Sequence, residues 1–283
     1  MNTAFIKEVG PLRWVCRTFI RQFHKRILCR DQQMRLPTGE LITLPIADHS
    51  ATETYITNAN IDWGTEELLA SLLQRKGAFL DVGAHIGYYS LYMLPRVTAV
   101  YAFEPDPRVR VSLEKNLAGK PNAEVLPLAV SSTPGKARFT LEGNTDVSHL
   151  SRDQDASANQ IEVDVTTLDA FVASRNLVVE AIKFDAEGFD TEILHGALNL
   201  LTQQRPLVVT EASPDATLFA VTAQLSYRVF AFLRHPSTRH RSFAELLPHT
   251  PIPGETKMLF LVPQERTAEL AAKASGFFCI SCQ

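Results

Sequence analysis

Two glycines and two acidic residues form the clearest chemical pattern in this 283-residue chain. Residues 79–87 read F-L-D-V-G-A-H-I-G, an apolar strand that ends at Asp81 and enters a turn with Gly83 and Gly87. A second apolar strand, V-T-A-V-Y-A-F-E-P, ends on Glu104. Glycines allow φ values that other residues avoid and let the backbone approach a ligand. A carboxylate at the end of the next strand suits a ribose diol, so the pattern predicts a nucleoside-binding crevice.

The spacing of the glycines discriminates between nucleotide classes. Ala84 replaces the middle glycine of G-x-G-x-x-G, which a pyrophosphate needs for close backbone approach. No Gly-Lys-Ser/Thr follows, which argues against a P-loop. S-adenosylmethionine, with a cationic sulfur, an amino acid tail and a ribose, fits an acid-rimmed crevice better than a dinucleotide. An NAD-dependent oxidoreductase stays as the alternative, because an acid after the second strand also suits its ribose.

Apolar strands alternate with amphipathic helices from residue 78 to residue 225, which predicts a parallel sheet covered on both faces. Two short strand-like runs, E-L-I-T-L-P-I and T-E-T-Y-I-T, precede this region. The runs at 227–233 and 258–262 lack a crossover helix between them, so we expect antiparallel neighbours. The expected fold is an α/β, Rossmann-like three-layer sandwich of the class I methyltransferase type. Its sheet should be mostly parallel and seven-stranded, with an antiparallel final strand.

The sequence pattern divides the chain into three parts. Residues 1–35 contain a basic amphipathic helix, and residues 36–265 form the methyltransferase domain. Within that domain the alternation breaks at about 131–165, which we interpret as an insertion over the ligand edge. Residues 266–283 form a C-terminal helix and tail.

Six segments occur in a characteristic order. They are D-V-G-A-H-I-G-Y-Y-S, A-F-E-P-D-P, T-L-D at 167–169, I-K-F-D-A-E-G-F-D at 182–190, L-H-G-A at 194–197 and R-P-L-V-V-T-E at 205–211. In order and spacing they resemble the FkbM family of S-adenosylmethionine-dependent methyltransferases. The resemblance covers about residues 50–215 and implies O-methylation of hydroxyls on natural products and sugars. Two positions depart from it: His85 stands where the family commonly has Asn, and Asp190 where it commonly has Glu.

The resemblance also implies a set of cofactor-binding residues. They are Asp81, Gly83, Ala84, His85, Gly87, Glu104, Asp106, Asn144 and Ser148. Asp81 and the two glycines would hold the methionine moiety, Glu104 the ribose hydroxyls, and Asp106 would reach only the adenine side. An ordinary polar turn explains Asn144 and Ser148 nearly as well. The structural alternative makes Asp81 a helix N-cap and Glu104 an acid at a helix start.

Methyl transfer to an alcohol calls for a base that takes the hydroxyl proton. Asp185 and Glu187 are the leading candidates, because a strand end delivers them to the crevice. His149 and His85 are secondary candidates. The structural alternative pairs the acids with Lys183 or makes Asp185 a helix N-cap.

A metal-dependent version of the same reaction stays open beside the metal-free one that we expect. In it, Asp185, Glu187 and Glu211 hold Mg²⁺, which acidifies a diol substrate. A non-catalytic binding module is the further alternative, if the crevice is kept and the base is not.

Charge and composition limit the partners. The formal net charge is −3, with about +6 on residues 1–30, so the rest of the chain is acidic and unsuited to nucleic acid. We expect a small-molecule or saccharide acceptor. No apolar run approaches a membrane span and no signal-peptide pattern opens the chain, so we expect a soluble, cytoplasmic protein. Cys279 and Cys282 form a C-x-x-C that we interpret as coincidence, and the oligomeric state is open.

Residues 11–30 carry two ladders on nearly opposite helix faces. The apolar ladder is Val15, Phe19, Phe23 and Ile27, and the basic ladder is Arg13, Arg17, Arg21 and Lys25. The favoured interpretation packs the apolar stripe on the body and leaves the charges in solvent. The alternatives are peripheral attachment to an anionic membrane surface, an acidic partner, or an Arg-rich targeting segment.

Overall fold

The computed structural model describes residues 5–142, 148–151, 159–186 and 188–278. Its helices are α1 Ile6–Val9, α2 Pro11–Phe23, α3 His49–Thr57, α4 Thr65–Leu72, α5 Tyr88–Met93, α6 Pro107–Leu117, α7 Leu168–Arg175, α8 Asp190–His195, α9 Leu198–Gln203, α10 Ala216–Gln224 and α11 Thr267–Phe278. Its strands are β1 Gln32–Arg35, β2 Leu41–Leu44, β3 Ala78–Val82, β4 Val100–Phe103, β5 Ala123–Leu126, β6 Leu128–Val130, β7 Gly135–Thr140, β8 His149–Leu150, β9 Gln160–Thr166, β10 Val179–Phe184, β11 Leu207–Thr210, β12 Tyr227–Arg234, β13 Arg241–Leu246 and β14 Leu259–Pro263. None of the helices within these ranges combines the length and the apolar run that crossing a bilayer requires.

The main sheet contains eight of the described strands, in the order β13-β12-β14-β11-β10-β3-β4-β5. Strands β11, β10, β3, β4 and β5 are mutually parallel, and β14 lies antiparallel between β11 and β12. The predicted α/β class, the mostly parallel sheet and its antiparallel end are confirmed. The predicted count of seven strands is one short, because β13 adds to the edge of β12 from a segment rich in His, Arg and Pro.

Two hydrophobic cores cover the two faces of this sheet. Consecutive residues of a central strand enter opposite cores: Phe79 packs on one side with helices α4 and α5, and Leu80 packs on the other with α7 and α9. Ala181 and Ile182 of β10 divide in the same way. This burial on both faces explains why the central strands read as continuous apolar runs, and it makes the molecule a three-layer sandwich.

The run T-E-T-Y-I-T at 52–57 forms a helix, and the prediction of a strand there was wrong. Its β-branched residues favour a strand by propensity. The Asp48 carboxylate instead caps α3 by accepting a hydrogen bond of 2.6 Å from the Ala51 N–H, and Asn58 ends the helix at a φ of +58°. Local capping and packing therefore outweigh the intrinsic preference.

A second sheet, in the order β6-β9-β7-β8, occupies the region around residues 128–166. Strand β9 pairs antiparallel with β7 over the whole length of β7, and β6 runs parallel to β9. A small core that includes Phe139, Leu150 and Val163 holds this sheet together.

The N-terminal helix docks with its basic side inward, which reverses the favoured interpretation. Helix α2 continues into a π-helical turn, His24–Leu28. Arg21 is fully buried, and its guanidinium donates to the Leu44 carbonyl at 3.2 Å and the Pro45 carbonyl at 2.6 Å. Arg17 donates to the Tyr55 carbonyl, and its guanidinium lies over the Tyr55 ring. The body offers carbonyl oxygens with acceptor capacity at this place, and such acceptors favour donors over apolar side chains.

Replacing Arg21 with Met is expected to reduce the free energy of unfolding by about 3 kcal/mol, because an apolar side chain of similar length loses the charge-assisted hydrogen bonds to the Leu44 and Pro45 carbonyls. Urea denaturation followed by circular dichroism measures this loss. Arg26, which is exposed, provides the matched control: Arg26→Met should change stability by less than about 0.5 kcal/mol. Equal effects of the two substitutions would contradict the inward docking of α2.

Candidate active site

The turn after β3 is built around a glycine that no other residue can replace. Gly83 has a φ of +71°, and a Cβ atom there would lie 2.1 Å from the carbonyl oxygen of Asp185. The N–H groups of Gly83 and Ala84 both donate to the Phe103 carbonyl, at 3.1 and 3.0 Å. The turn thereby joins the carboxyl ends of β10, β3 and β4 at one edge of the sheet.

A cavity of about 280 Å³ opens at this edge. Its wall contains the turn after β3, the ends of β4, β10 and β11, the start of α3, and parts of β6, β7 and β8. Ligands of open α/β sheets bind outside the carboxyl ends of the strands. Of the predicted site residues, those in the wall are Gly83, Ala84, His85, Glu104, Ser148 and Asp185, together with the secondary candidate His149.

Glu104 presents a fixed pair of acceptors to this cavity. It is 6% exposed, and its Oε2 accepts from the His85 N–H at 2.8 Å while Oε1 accepts from the Asp106 N–H at 2.9 Å. Burial raises the pKa of Glu104, and these two backbone bonds oppose that shift. Each carboxylate oxygen has two acceptor lone pairs, so one site per oxygen is left for a hydroxyl. The arrangement suits the two adjacent hydroxyls of a ribose.

Asp81 lies beneath the turn rather than in the cavity wall, which differs from the predicted contact with the methionine tail. Its Oδ2 accepts from the Ser90 hydroxyl at 2.6 Å, and Oδ1 accepts no hydrogen bond from any described residue. The Nζ of Lys183 lies 3.7 Å from that Oδ1 and donates to the Gly83 carbonyl at 2.7 Å. Asp81 therefore supports the turn through Lys183.

Asp185 belongs to a group of charged side chains from separate parts of the chain. Its Oδ2 lies 3.7 Å from Lys183 Nζ, and Glu211, which follows β11, lines the same cavity. Nearby, Lys257 pairs with Asp62 at 3.1 Å. Burial lowers the pKa of Lys183, but the charges of Asp185 and Asp81 outweigh it and raise that pKa overall, so the ammonium persists.

The Asp185 carboxylate lies beside Glu211, and a negative charge next to a carboxyl group raises its pKa. Desolvation by the cavity wall, followed by the charge of Asp185, raises the pKa of Glu211 to about 9. The Glu211 residue is exposed by its accessible surface, which weakens the desolvation. The charges of Asp185 and Asp62 act in the same direction, so the raised pKa of Glu211 favours its protonated form at neutral pH.

Glu211→Gln is expected to flatten the dependence of stability on pH. The pKa of Glu211 is higher in the folded state than its ordinary value of 4.5, so its contribution to stability is complete below pH 4.5 and is lost as the pH rises toward 9. The variant should gain stability over the wild type as the pH rises, measured by urea denaturation at pH 5, 7 and 9. Glu114→Gln, at an exposed position, should follow the wild-type curve. Parallel curves for Glu211→Gln and the wild type would contradict the raised pKa.

Two residues that were predicted to bind the cofactor have structural roles instead. Gly87 begins α5, and a Cβ atom there would lie 2.8 Å from Leu113 Cδ1, so it allows α6 to pack closely. Asp106 caps α6 and binds the Arg108 side chain, with 2.6 Å between Oδ2 and Nη2. Arg108 also donates to the Ser148 hydroxyl at 3.1 Å, which fixes that part of the cavity wall. Neither Gly87 nor Asp106 lies in the wall.

His85 connects the glycine turn to α3. Its Nε2 lies 3.1 Å from Asp48 Oδ2, and its Nδ1 lies 3.2 Å from the Ser50 hydroxyl. Burial raises the pKa of Asp48, but the contact with His85 and the capping bonds lower it overall. With both ring nitrogens engaged, His85 positions the start of α3 and is a weaker candidate for the base.

Two predicted residues, Asn144 and Glu187, lie outside the described residues, as do Cys279 and Cys282. Within the described residues, no group of three His, Cys, Asp or Glu side chains is arranged to hold a metal ion. Because Glu187 is one of the three proposed Mg²⁺ ligands, that alternative stays a hypothesis.

The sequence predicts only part of this charged group. It gives Lys183 a structural role and Glu211 a role as a possible metal ligand. It does not predict Lys257 or Asp62. The acid that ends the strand R-P-L-V-V-T-E was a usable signal for Glu211, because it shares the sheet edge with Asp185. Nothing in the local sequence marks Asp62 or Lys257.

Known proteins provide a comparison at the level of family and structure. The family model of the methyltransferase FkbM domain matches residues 81–241. No curated protein matches this chain in sequence.

Among solved structures, methyltransferase FkbM from Methylobacillus flagellatus KT is 17% identical, with a TM-score of 0.44, over 74% of this chain and 52% of that one. This chain therefore spans about half the length of that protein. A Pyrococcus abyssi tRNA (uracil-54, C5)-methyltransferase in complex with S-adenosyl-L-homocysteine is 14% identical over 82% of this chain and 44% of that one, with a TM-score of 0.42. A putative methyltransferase from Streptococcus mutans in complex with the same compound is 8% identical over 70% of this chain and 94% of that one, with a TM-score of 0.38.

The match to the family model covers more than half of the chain and includes the glycine turn, Glu104, Asp185 and Glu211. It confirms the resemblance found in the sequence and favours a methyltransferase over the NAD-dependent alternative. The chain belongs to the FkbM methyltransferase family.

Proposed function

We propose that this protein transfers the methyl group of S-adenosylmethionine to a hydroxyl oxygen of a small molecule or saccharide. The observation that carries the proposal is the position of Asp185, which lines the cavity with Glu211 and lies 3.7 Å from the Lys183 ammonium. A hydroxyl becomes an effective nucleophile as its proton leaves, and a positioned carboxylate can accept that proton. Asp185 was a predicted base, and Glu211 is its partner here.

Several features fit S-adenosylmethionine, the cofactor of this family. Glu104 offers one free acceptor site on each oxygen for the ribose diol. The backbone at Gly83 and Ala84 lies in the cavity wall without a large side chain to block approach. When bound, the cofactor supplies an activated methyl group on a cationic sulfur. We assign Gly83, Ala84, Glu104 and Ser148 to its binding, with His85 holding the turn.

The protein's own groups then handle the proton. The raised pKa of Glu211 favours its protonated form at neutral pH, so we assign the acceptance of the hydroxyl proton to the Asp185 carboxylate. The Lys183 ammonium, 3.7 Å away, orients the Asp185 carboxylate and disfavours its movement out of the cavity. Because alignment of the reacting atoms provides much of the rate in such displacements, a fixed base is more effective than a mobile one.

The acceptor class follows from the polar part of the cavity wall. His49, Glu53, Asp62 and Lys257 lie in it, beyond the residues that we assign to the cofactor and the base. Hydrogen-bonding groups of both signs in the wall favour an acceptor that carries multiple hydroxyls, because a hydroxyl both donates and accepts hydrogen bonds. This supports a saccharide or a polyhydroxylated small molecule over an apolar acceptor.

A transfer assay with a labelled methyl donor tests this function. Sugars, polyols and phenols are offered separately as acceptors, and the labelled product is treated with mild base. We expect label in an ether, which resists base, and activity that survives EDTA. Label in a base-labile ester, or on nitrogen or carbon, would overturn O-methylation of a hydroxyl. Loss of activity in EDTA with recovery by Mg²⁺ would favour the metal-dependent version.

A further inference from the structure

Helix α2 and the π-helical turn that follows it expose a continuous apolar face. Phe19 is 71% exposed and Ile27 is 68% exposed. Of the twelve large apolar side chains that are exposed in the described part of the chain, seven belong to this one segment: Leu12, Val15, Phe19, Ile20, Phe23, Ile27 and Leu28. Single exposed apolar residues need no explanation, but a contiguous group of this size indicates an interaction site.

The inward face of the helix is firmly attached to the body. Arg21 is buried and bonds two carbonyl oxygens and the Thr52 hydroxyl, while Arg17 bonds Asn58 and Tyr55. Turning the helix over to bury its apolar face would break all of these contacts. The apolar face is therefore presented outward by the docking itself.

The border of this face is positively charged. Arg13, Arg26 and Arg30 are exposed, Lys25 is partly exposed, and residues 11–30 contain no Asp or Glu. A second copy of the chain would bring two such basic borders together, and like charges at close range disfavour that contact. A surface that is apolar inside and anionic outside complements this face in both respects. A bilayer with anionic headgroups has this structure.

We infer that the outward face of residues 11–28 binds the surface of an anionic phospholipid bilayer, with the helix lying in the plane of the membrane. The phenylalanine and isoleucine side chains enter the boundary between headgroups and acyl chains, and Arg13, Lys25, Arg26 and Arg30 contact the lipid phosphates. Helix α3 lies between α2 and the cavity: Thr52 and Tyr55 contact α2, whereas His49 and Glu53 line the cavity. The active-site cavity would thus lie one helix away from the membrane.

Vesicle flotation with the full-length protein tests the inference. The wild type should float with vesicles of phosphatidylcholine and phosphatidylglycerol at least about tenfold more than with phosphatidylcholine alone, and added salt should release it. The double variant Phe19→Ser, Phe23→Ser should lose at least about tenfold of the binding. Val111→Ser with Leu247→Ser removes two exposed apolar side chains elsewhere and should bind as the wild type does.

A second pair of variants separates charge from apolar contact. Arg26→Glu with Arg30→Glu should reduce binding to the anionic vesicles at least about tenfold and leave the thermal midpoint unchanged, because both side chains are exposed. Wild-type protein that stays unbound to anionic vesicles would overturn the inference. So would a wild-type dimer that Phe19→Ser, Phe23→Ser converts to a monomer, since the face would then cover a second copy.

Discussion

Replacing Asp185 with Asn is expected to lower kcat by roughly 10²–10⁴-fold, the usual contribution of a positioned general base. The amide keeps the size of the side chain but cannot accept the proton of the acceptor hydroxyl. Because the Asp185 carboxylate faces Lys183, and only its backbone approaches the glycine turn, the affinity for S-adenosylmethionine should stay within about threefold of the wild type. Steady-state kinetics with the acceptor found in the transfer assay measures the first quantity, and calorimetric titration of the donor measures the second.

The control for this substitution is Asp164→Asn, at an exposed position of β9, which should leave both quantities unchanged. Glu211→Gln should have a smaller effect on kcat than Asp185→Asn, because Glu211 already holds a proton at neutral pH. If Asp185→Asn keeps the wild-type kcat, Asp185 is not the base, and Glu187 becomes the leading candidate. A loss of donor affinity equal to the loss of kcat would instead assign Asp185 to cofactor binding.

Replacing Gly83 with Ala is expected to abolish donor binding and to reduce the free energy of unfolding by more than about 3 kcal/mol. The positive φ alone costs an L residue about 1–2 kcal/mol. The new Cβ would also meet the Asp185 carbonyl at 2.1 Å, and a backbone atom cannot rotate away as a side chain can. The turn and the end of β10 must separate, which displaces Asp185 and the Lys183 contact together.

Gly119→Ala isolates the cost of backbone conformation. Gly119 has a φ of +74°, close to the +71° of Gly83, and nothing lies within 4 Å of a Cβ atom there. The Gly119→Ala variant should lose about 1 kcal/mol of its free energy of unfolding and bind the donor as the wild type does. Urea denaturation and calorimetric titration of both variants give the comparison. Similar losses of stability in the two variants would contradict the close approach of the turn to β10.

The membrane inference and the proposed chemistry are independent of each other. Phe19→Ser, Phe23→Ser changes only exposed side chains on α2, so its kcat with a water-soluble acceptor should match the wild type. Asp185→Asn should bind vesicles normally. Failure of one proposal would therefore leave the other intact.

The sequence by itself determined the alternating core elements and the cofactor edge of the sheet. The strands that carry Asp81 and Asp185, the turn at Gly83 and the acid at Glu104 depend on local patterns: apolar runs, glycine positions and strand ends. These patterns act over a few residues, so they can be recognised without the rest of the chain. The family resemblance rested on the same local segments.

Only the tertiary structure decided which charges meet and which face of α2 is buried. Glu211, Lys257 and Asp62 join Asp185 and Lys183 through crossings between elements far apart in sequence, which leave no local signature. Arg17 and Arg21 of the basic ladder face the body because carbonyl oxygens of Leu44, Pro45 and Tyr55 accept their hydrogen bonds, while hydrophobic periodicity alone predicted the opposite face. Periodicity specifies that a helix has two faces. Which face is buried depends on the surface that the helix meets, and the fold creates that surface.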